Sequence, residues 1–424
     1  MSEQKPGGET PSESSPQGTV TKVGSLRELL DLATGRSFQS TLNQEDAGLA
    51  EPLPFPFLAL VGQLEMKIAL LLAVINPLVG GVLLVGPRGT GKTTLVRSLM
   101  HLLPKVRRSA CYYGCLPEDI ETGGIDAVCP DCAKKYGEGR PLTKEDQGRL
   151  VELPLNARLE DVIGGWDELA AARGQFRLKS GILKQADLNI LYIDEVNLLA
   201  DDIINAILDA ASQGTYTVRR GPVASTYRAR FTLVGSMNPE EGNLRPQIMD
   251  RFGLRVVVRG LEDADERVEA YRRARSYRLN PRATVAQYAY ETELARSEIE
   301  MARNLLPKVE IPHEVLCTGT RIIQQVGIDS LRAEITLFEA ARAYAAADAR
   351  TTVTVEDLKV VVPMALRLRL SPFMVKYFHE QDKEEEQLRG ILKEMHSITE
   401  ILENGKARRT EDHQPPSAGK PPNG

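Results

Sequence analysis

The stretch GPRGTGKT, residues 86–93, follows four apolar residues, Val82–Val85, and opens a helix-like run over residues 93–103. It has the form G-x-x-x-x-G-K-[ST], and a strand before it with a helix after it is the setting in which that pattern binds phosphate. The glycines let the backbone curl so that several N–H groups converge on phosphate oxygens, and the helix adds the positive end of its dipole at the same point. The loop residues are Gly86, Pro87, Arg88, Gly89, Thr90, Gly91, Lys92, Thr93 and Thr94. Lys92 supplies a mobile cation for the β- and γ-phosphates, and the Thr93 hydroxyl is placed to hold Mg²⁺. The reading is a nucleoside triphosphate site with Mg²⁺.

Length and composition bound what can surround this loop. The chain has 424 residues, long enough for two globular regions, and its 42% hydrophobic and 26% charged content is that of an ordinary globular protein. A net charge of −5 argues against a protein that coats nucleic acid. The longest apolar run, residues 68–75, is far short of a membrane span, and the start MSEQKPGGETPSESSPQG lacks the basic and apolar parts of a secretory signal. The expectation is a cytoplasmic protein with no membrane partner, whose five cysteines are thiols or metal ligands.

From residue 51 to about 261, short apolar segments alternate with helical patterns: Val82–Val85, Leu150–Leu153, Ile190–Ile193, 231–234 and 255–258 as strands, with helices at Leu64–Ile75, 93–103 and 201–212. Alternation of this kind predicts an α/β fold, a parallel sheet covered by helices on both faces. Residues 262–372 show only helical spacing, over 262–276, 285–305, His313–Val326, 330–347 and 355–368, which predicts an all-helical second domain with Cys317 as a buried thiol. Residues 1–50 and 405–424 read as disordered tails, and 373–404 as one amphipathic helix, either packed on its own domain or docking a partner.

Two further motifs carry chemistry. In LYIDEV, residues 191–196, an acidic pair closes a buried strand; Asp194 is suited to organise the Mg²⁺ shell and Glu195 to polarise the attacking water. In GSMNPEEGNLRPQIMDRFG, residues 235–253, Asn238 at a strand end can hydrogen-bond the γ-phosphate or the water. Arg251 has two readings on spacing alone: an arginine paired with Asp250 or a neighbour, or one that projects into the next subunit's nucleotide site. Arg245 lies at the same boundary or braces the loop.

Cys111, Cys115, Cys129 and Cys132 form C-x3-C and C-x2-C pairs in a polar insertion, residues 107–148. The spacing suits a tetrahedral thiolate zinc site, structural because four cysteines leave no open position. Free thiols and an iron–sulfur cluster are the other readings.

The run VGQLEMKIALLLAVINPLVGGVLLVGPRGTGKTT, with LYIDEVNLL, GSMNPEEGNLRPQIMDRFG and the later GIDSLRAEI, resembles the AAA+ subunit I of magnesium chelatase over about residues 55–372. The resemblance implies an αβα nucleotide core and a helical lid, assembled as a hexameric ring of identical subunits with ATP sites between neighbours. By matched motif Arg251 looks like the arginine finger acting in trans, Asn238 like sensor 1 and Arg332 like the sensor 2 arginine. Residues 161–180 and 215–230 look like the hairpin inserts of this branch; the second carries Arg219, Arg220, Arg228 and Arg230 and is either a pore or partner loop or a solvated hairpin. The implied function is ATP hydrolysis that drives magnesium or cobalt insertion into a tetrapyrrole by partner subunits. The cysteine cluster departs from the photosynthetic subunits and is similar to an insert in bacterial chelatase-like proteins that work with a von Willebrand factor A domain. That departure keeps open a MoxR-like remodelling ATPase without a tetrapyrrole. A nucleic-acid motor is the third reading, disfavoured by the acidic charge and the lack of a nucleic-acid-binding module.

Overall fold

The computed structural model describes residues 53–111, 113–166, 178–220, 223–370 and 383. The tails expected at 1–50 and 405–424 and the amphipathic helix expected at 373–404 lie outside the described residues, Lys383 apart.

In chain order the strands are β1 (Val82–Val85), β2 (Lys105–Ser109), β3 (Thr143–Gln147), β4 (Leu150–Leu153), β5 (Gly164–Trp166), β6 (Leu178–Ser180), β7 (Ile190–Ile193), β8 (Thr215–Arg220), β9 (Val223–Arg228), β10 (Thr232–Met237) and β11 (Leu254–Val257). Five form one sheet in the order β11-β1-β10-β7-β4, every pair parallel. The central strands are buried throughout, and β1 and β7 are made of apolar residues and one tyrosine, which requires helices on both faces. Period-two alternation assigns the faces. Val82, Leu84, Ile190, Tyr192 and Val234 pack with Leu70, Ala73, Leu95 and Val96 from helices Leu64–Ile75 and Lys92–Ser98. Leu83, Leu191, Ile193 and Leu233 pack with Ile203, Ile204, Ile207 and Leu208 of helix Asp201–Gln213. The spacing of those four isoleucine and leucine positions is what makes that helix one-sided. Asp201 and Asp202 in its first turn oppose the dipole favourably, and Gly214 at φ 67° ends it.

The helices after the sheet are Ala264–Leu279, Pro281–Gln287, Ala289–Leu305, His313–Val326, Leu331–Ala347 and Val355–Leu366. The single helix expected at 285–305 is two. Asn280 accepts from the Ala283 N–H at 3.0 Å and Pro281 sits in the first turn, so a short helix starts early, and Tyr288 at φ −102°, ψ 10° breaks it. Cys317 is exposed rather than buried, because Val315, Gly319 and Ile323 form the inward face of its helix. Ile299, Ile323, Leu337, Ala340 and Val361 belong to the same hydrophobic cluster as Leu70, Leu84 and Leu95, so the lid and one face of the sheet share a core.

The insertion carries regular structure that its polar composition conceals. β2 and β3 pair antiparallel, with Lys105 opposite Gln147 and Ser109 opposite Thr143, and make a stalk beneath the cysteines. Arg107 faces Glu145, a favourable cross-strand pair; Arg108 faces Lys144 and turns to Asn189 Oδ1 instead, at 2.9 Å.

Leu337 is fully buried in the shared core. Replacing it with alanine is expected to cost about 2–5 kcal/mol and to lower one cooperative denaturant transition. A separate early transition of the lid, with the sheet unaffected, contradicts the shared core.

Candidate nucleotide and metal sites

The loop leaves β1 through Gly86, where a Cβ would stand 2.2 Å from the Val258 carbonyl oxygen. No side chain fits there. Gly91 at φ 88° then turns the chain into helix Lys92–Ser98. Lys92 is 8% exposed and its ammonium donates to the Gly86 and Pro87 carbonyls at 2.7 and 2.8 Å. Burial lowers its pKa, while the carboxylates of Asp194, Glu195 and Glu241 pull it back up. Lys92 is therefore folded onto its own loop.

β7 and β10 are parallel neighbours, so their carboxyl ends deliver Asp194, Glu195, Ser236 and Asn238 to the same place. Thr93 Oγ1 donates to Asp194 Oδ2 at 3.1 Å. Tyr192 Oη donates to Asp194 Oδ1 at 2.9 Å and lies 3.2 Å from both Thr93 Oγ1 and Ser236 Oγ; Ser236 also donates to Asp194. Burial holds the Tyr192 pKa well above the ordinary phenol value, so it stays a donor. Glu195 sits in the left-handed region at φ 54°, ψ 55°, a conformation that costs a non-glycine residue about 1–3 kcal/mol, and its N–H donates to Ser236 Oγ at 3.2 Å. Asn238, 3% exposed, accepts from the Glu240 N–H at 3.3 Å and donates to Glu241 Oε1 at 2.9 Å.

These groups line a cleft of about 180 Å³ together with Arg88, Gly89, Thr90, Gly91, Lys92, Thr93 and Thr94. Across the loop, Gly89, Thr90, Gly91 and Thr94 also border a cavity of about 450 Å³ walled by Leu60, Val61, Leu261, Ala270 and Ala274. A polar cleft joined to an apolar cavity across one glycine-rich loop accommodates a triphosphate on one side and a base on the other. Tyr192 and Ser236 were not singled out by the sequence reading. Their signal is position, each standing two residues before Asp194 or Asn238 on the same strand.

Arg251 and Arg332 do not line this cleft. Arg251 pairs with Asp209 at 2.5 Å rather than with Asp250, and Arg332 pairs with Asp250 at 3.2 Å. Asp250 also receives Arg255 and the lid's Arg369, whose side chains are 1% exposed, at 3.3 and 3.0 Å. Arg245 pairs with Asp201 at 2.5 Å. The side chains of Arg251 and Arg332 are 32% and 54% exposed, and pairs this exposed are worth at most about 1 kcal/mol. Either arginine can leave its partner at little cost. In the hairpin of β8 and β9, Arg228 pairs with Asp119 of the insertion and Arg230 with Asp187, so its basic character is partly neutralised.

The ligand atoms of Cys111, Cys115, Cys129 and Cys132 all lie within 4.8 Å of one another. A tetrahedral site with Zn–S bonds of about 2.3 Å needs sulfurs about 3.8 Å apart, and the set fits. Burial opposes ionisation of Cys111, but donors including the Ser109 hydroxyl and the Cys115 N–H, 3.3 Å from its sulfur, bring its pKa to about 6. Burial pushes Cys115 up to about 11 and raises Cys132 as well. Among the described residues of the insertion, Leu142 is the one further buried apolar residue around these sulfurs. So small a core supplies little folding free energy.

Comparison with known proteins places these features. The MCM P-loop domain model matches residues 168–269 and the AAA lid domain model residues 318–391. The chain is 44% identical over 323 residues to the magnesium-chelatase subunit ChlI homolog of Methanocaldococcus jannaschii, covering 75% of this chain and 87% of that protein. It is 42% identical over 318 residues to the magnesium-chelatase 38 kDa subunit of Acidiphilium rubrum, covering 74% and 91%. With magnesium-chelatase subunit ChlI of Synechocystis it shares 40% over 319 residues, covering 74% and 88%. A chain in a solved complex between subunits BchI and BchD of magnesium chelatase is 39% identical, covering 76% of this chain and 97% of that one, with a TM-score of 0.42. Among the described residues no helix is long and apolar enough to cross a membrane. Identity at this level over most of both chains, with the parallel sheet, phosphate loop and helical lid in place, means that the chain belongs to the magnesium-chelatase subunit I family of AAA+ ATPases.

Proposed function

We propose that the chain is the ATP-hydrolysing ring subunit of a metal chelatase complex, in which partner subunits hold the tetrapyrrole and the metal to be inserted. The carrying observation is a division of labour across the surface. Lys92, Thr93, Asp194, Glu195 and Asn238 converge on one cleft, whereas Arg251 and Arg332 sit on exposed ion pairs outside it. Arginines so placed complete the cleft of an adjacent copy, and an arginine finger of this kind contributes about 10³–10⁵ in rate. Rotation by a fixed angle that closes after six copies makes a hexameric ring with an active site at each boundary.

Within one site Lys92 releases the loop carbonyls and moves onto the phosphates. Thr93 and Asp194 offer the hard oxygen ligands that suit Mg²⁺, which when bound neutralises charge on the β- and γ-phosphate oxygens. Tyr192 and Ser236 hold Asp194 in the required rotamer. Glu195, fixed by its left-handed backbone, accepts the proton of the attacking water, and Asn238 orients that water or the γ-phosphate. Nothing in the described cavities calls for this chain to bind the tetrapyrrole itself.

The four cysteines are proposed to hold one structural Zn²⁺, which would supply the folding free energy the insertion lacks. The partner proposed for the ring is a chelatase subunit carrying a von Willebrand factor A domain, with a large tetrapyrrole-binding subunit completing the complex.

The Glu195→Gln variant should bind ATP as the parent does and lose turnover by about 10³-fold, within the usual range for a general base; unchanged turnover removes Glu195 from the role. Pull-down on this ATP-locked variant is expected to recover both partner subunits, and recovery of the von Willebrand factor A protein alone supports the MoxR-like alternative. Metal analysis of the same preparation should find about one zinc per chain. Iron in its place, or a metal-free insertion that stays folded, overturns the zinc assignment.

A further inference from the structure

Two helices of the region after the sheet each leave one side uncovered. Helix Ala264–Leu279 has no buried residue, and its contacts with the rest of the chain lie on one side. There Arg273 donates to the Ala59 carbonyl at 3.2 Å, and the Tyr277 ring stands edge-on to Phe55 at 5.3 Å. On the other side, helical spacing gathers Val268, Tyr271, Arg272, Arg275, Arg278 and Leu279 on one exposed face. Helix Ala289–Leu305 turns Ile299 and Ala302 inward, and Arg303 on that side donates to the Val74 carbonyl at 2.8 Å. Its outer face carries Tyr290, Leu294 and Met301 at i, i+4 and i+11, with Tyr290 78% exposed, and the exposed Glu291, Glu298 and Glu300 flank them. Among the described residues, those three glutamates and Arg272, Arg275 and Arg278 engage no side-chain partner.

We propose that these two faces are a contact between copies of the chain, the Val268–Leu279 face of one copy packed on the Tyr290–Met301 face of the next. A single exposed apolar side chain is ordinary, but several in line on each of two helices make stripes that favour burial. Each stripe is an apolar seam flanked by charge, the pattern with which helices pair side by side while their charges meet across the seam. The flanking charges have opposite sign, so unlike faces attract and like faces repel. Tyrosine and arginine are also among the side chains most enriched where interfaces carry their binding energy. Both faces are exposed on one chain, so neither covers the other, and they meet only between copies. A contact between unlike faces repeats from copy to copy, as a ring requires.

The inference rests on the ring assembly proposed above and names one contact in its boundary; the test separates the two. Assembly of the full chain is followed by sedimentation velocity across protein concentration, with Mg²⁺ and a non-hydrolysable ATP analogue present. One variant reverses the basic face, Arg272→Glu with Arg278→Glu, and a second reverses the acidic face, Glu298→Arg with Glu300→Arg. Each is expected to raise the concentration needed for assembly at least about tenfold, because like charges then face each other. The chain carrying all four changes restores opposite signs and should assemble within about threefold of the parent. Melting temperatures of all three should stay within about 3 °C of the parent, since exposed side chains without partners add little to the fold. Variants that assemble as the parent does, or a combined chain no better than the weaker of the two, overturn the contact. Weakening by the basic-face variant alone assigns that face to a different acidic surface and overturns it as well. In each of these results a parent that still forms its ring leaves the ring reading standing. A parent that stays monomeric at every concentration removes the ring, and this contact with it.

Discussion

Parallel pairing of β1 with β10 and of β10 with β7 is the constraint on which the rest depends. Parallel strands end at the same edge, so residues far apart in sequence emerge side by side: the loop after Val85, the acids after Ile193 and Asn238 after Met237. The close approach of Gly86 to Val258, at the end of the next strand, ties the loop to that edge. Ligands of parallel α/β sheets bind at the carboxyl ends of strands for this reason. A slip of one register step between β10 and β7 would turn Ser236 away from Asp194 and Tyr192 and dissolve the site.

Once the edge exists, polar contacts sharpen it. Asp194 accepts from Thr93, Tyr192 and Ser236, so its carboxylate is held in one position by three donors. Preorganisation of this sort lowers the reorganisation that chemistry must drive. Glu195 carries the strain of a left-handed backbone, and its N–H is tied to Ser236 Oγ. The arginines show the opposite design. Arg251 and Arg332 rest on exposed pairs, while Arg255 and Arg369 converge on Asp250 from buried positions and brace the segment that presents them.

Much of this was legible in the sequence, for reasons that also explain what was not. Val82–Val85 and Ile190–Ile193 announce themselves as short apolar runs because they are buried on both faces. His313–Val326 is legible from its helical spacing and the glycine that ends it. β2 and β3 escape notice because they bury little and pair through charged residues, which hydrophobic alternation cannot detect. The burial of Cys317 was misjudged since one thiol in an amphipathic pattern does not reveal which side its helix turns inward. Lys92, Thr93 and the acidic pair follow from motif spacing. The contacts from Ser236 to Asp194 and from Arg88 to Glu241 are relations between strands and loops that no single stretch contains.

The central claim is that each cleft is finished by a neighbouring copy. Mixing Arg251→Ala subunits with Glu195→Gln subunits tests it most directly, because each variant is inactive alone while a boundary between the two can unite a parent Glu195 with a parent Arg251. An equal mixture allowed to assemble at random is predicted to recover up to about a quarter of parental ATP turnover, the share of boundaries in a heterologous ring that are intact on both sides. A mixture no more active than its components contradicts the account.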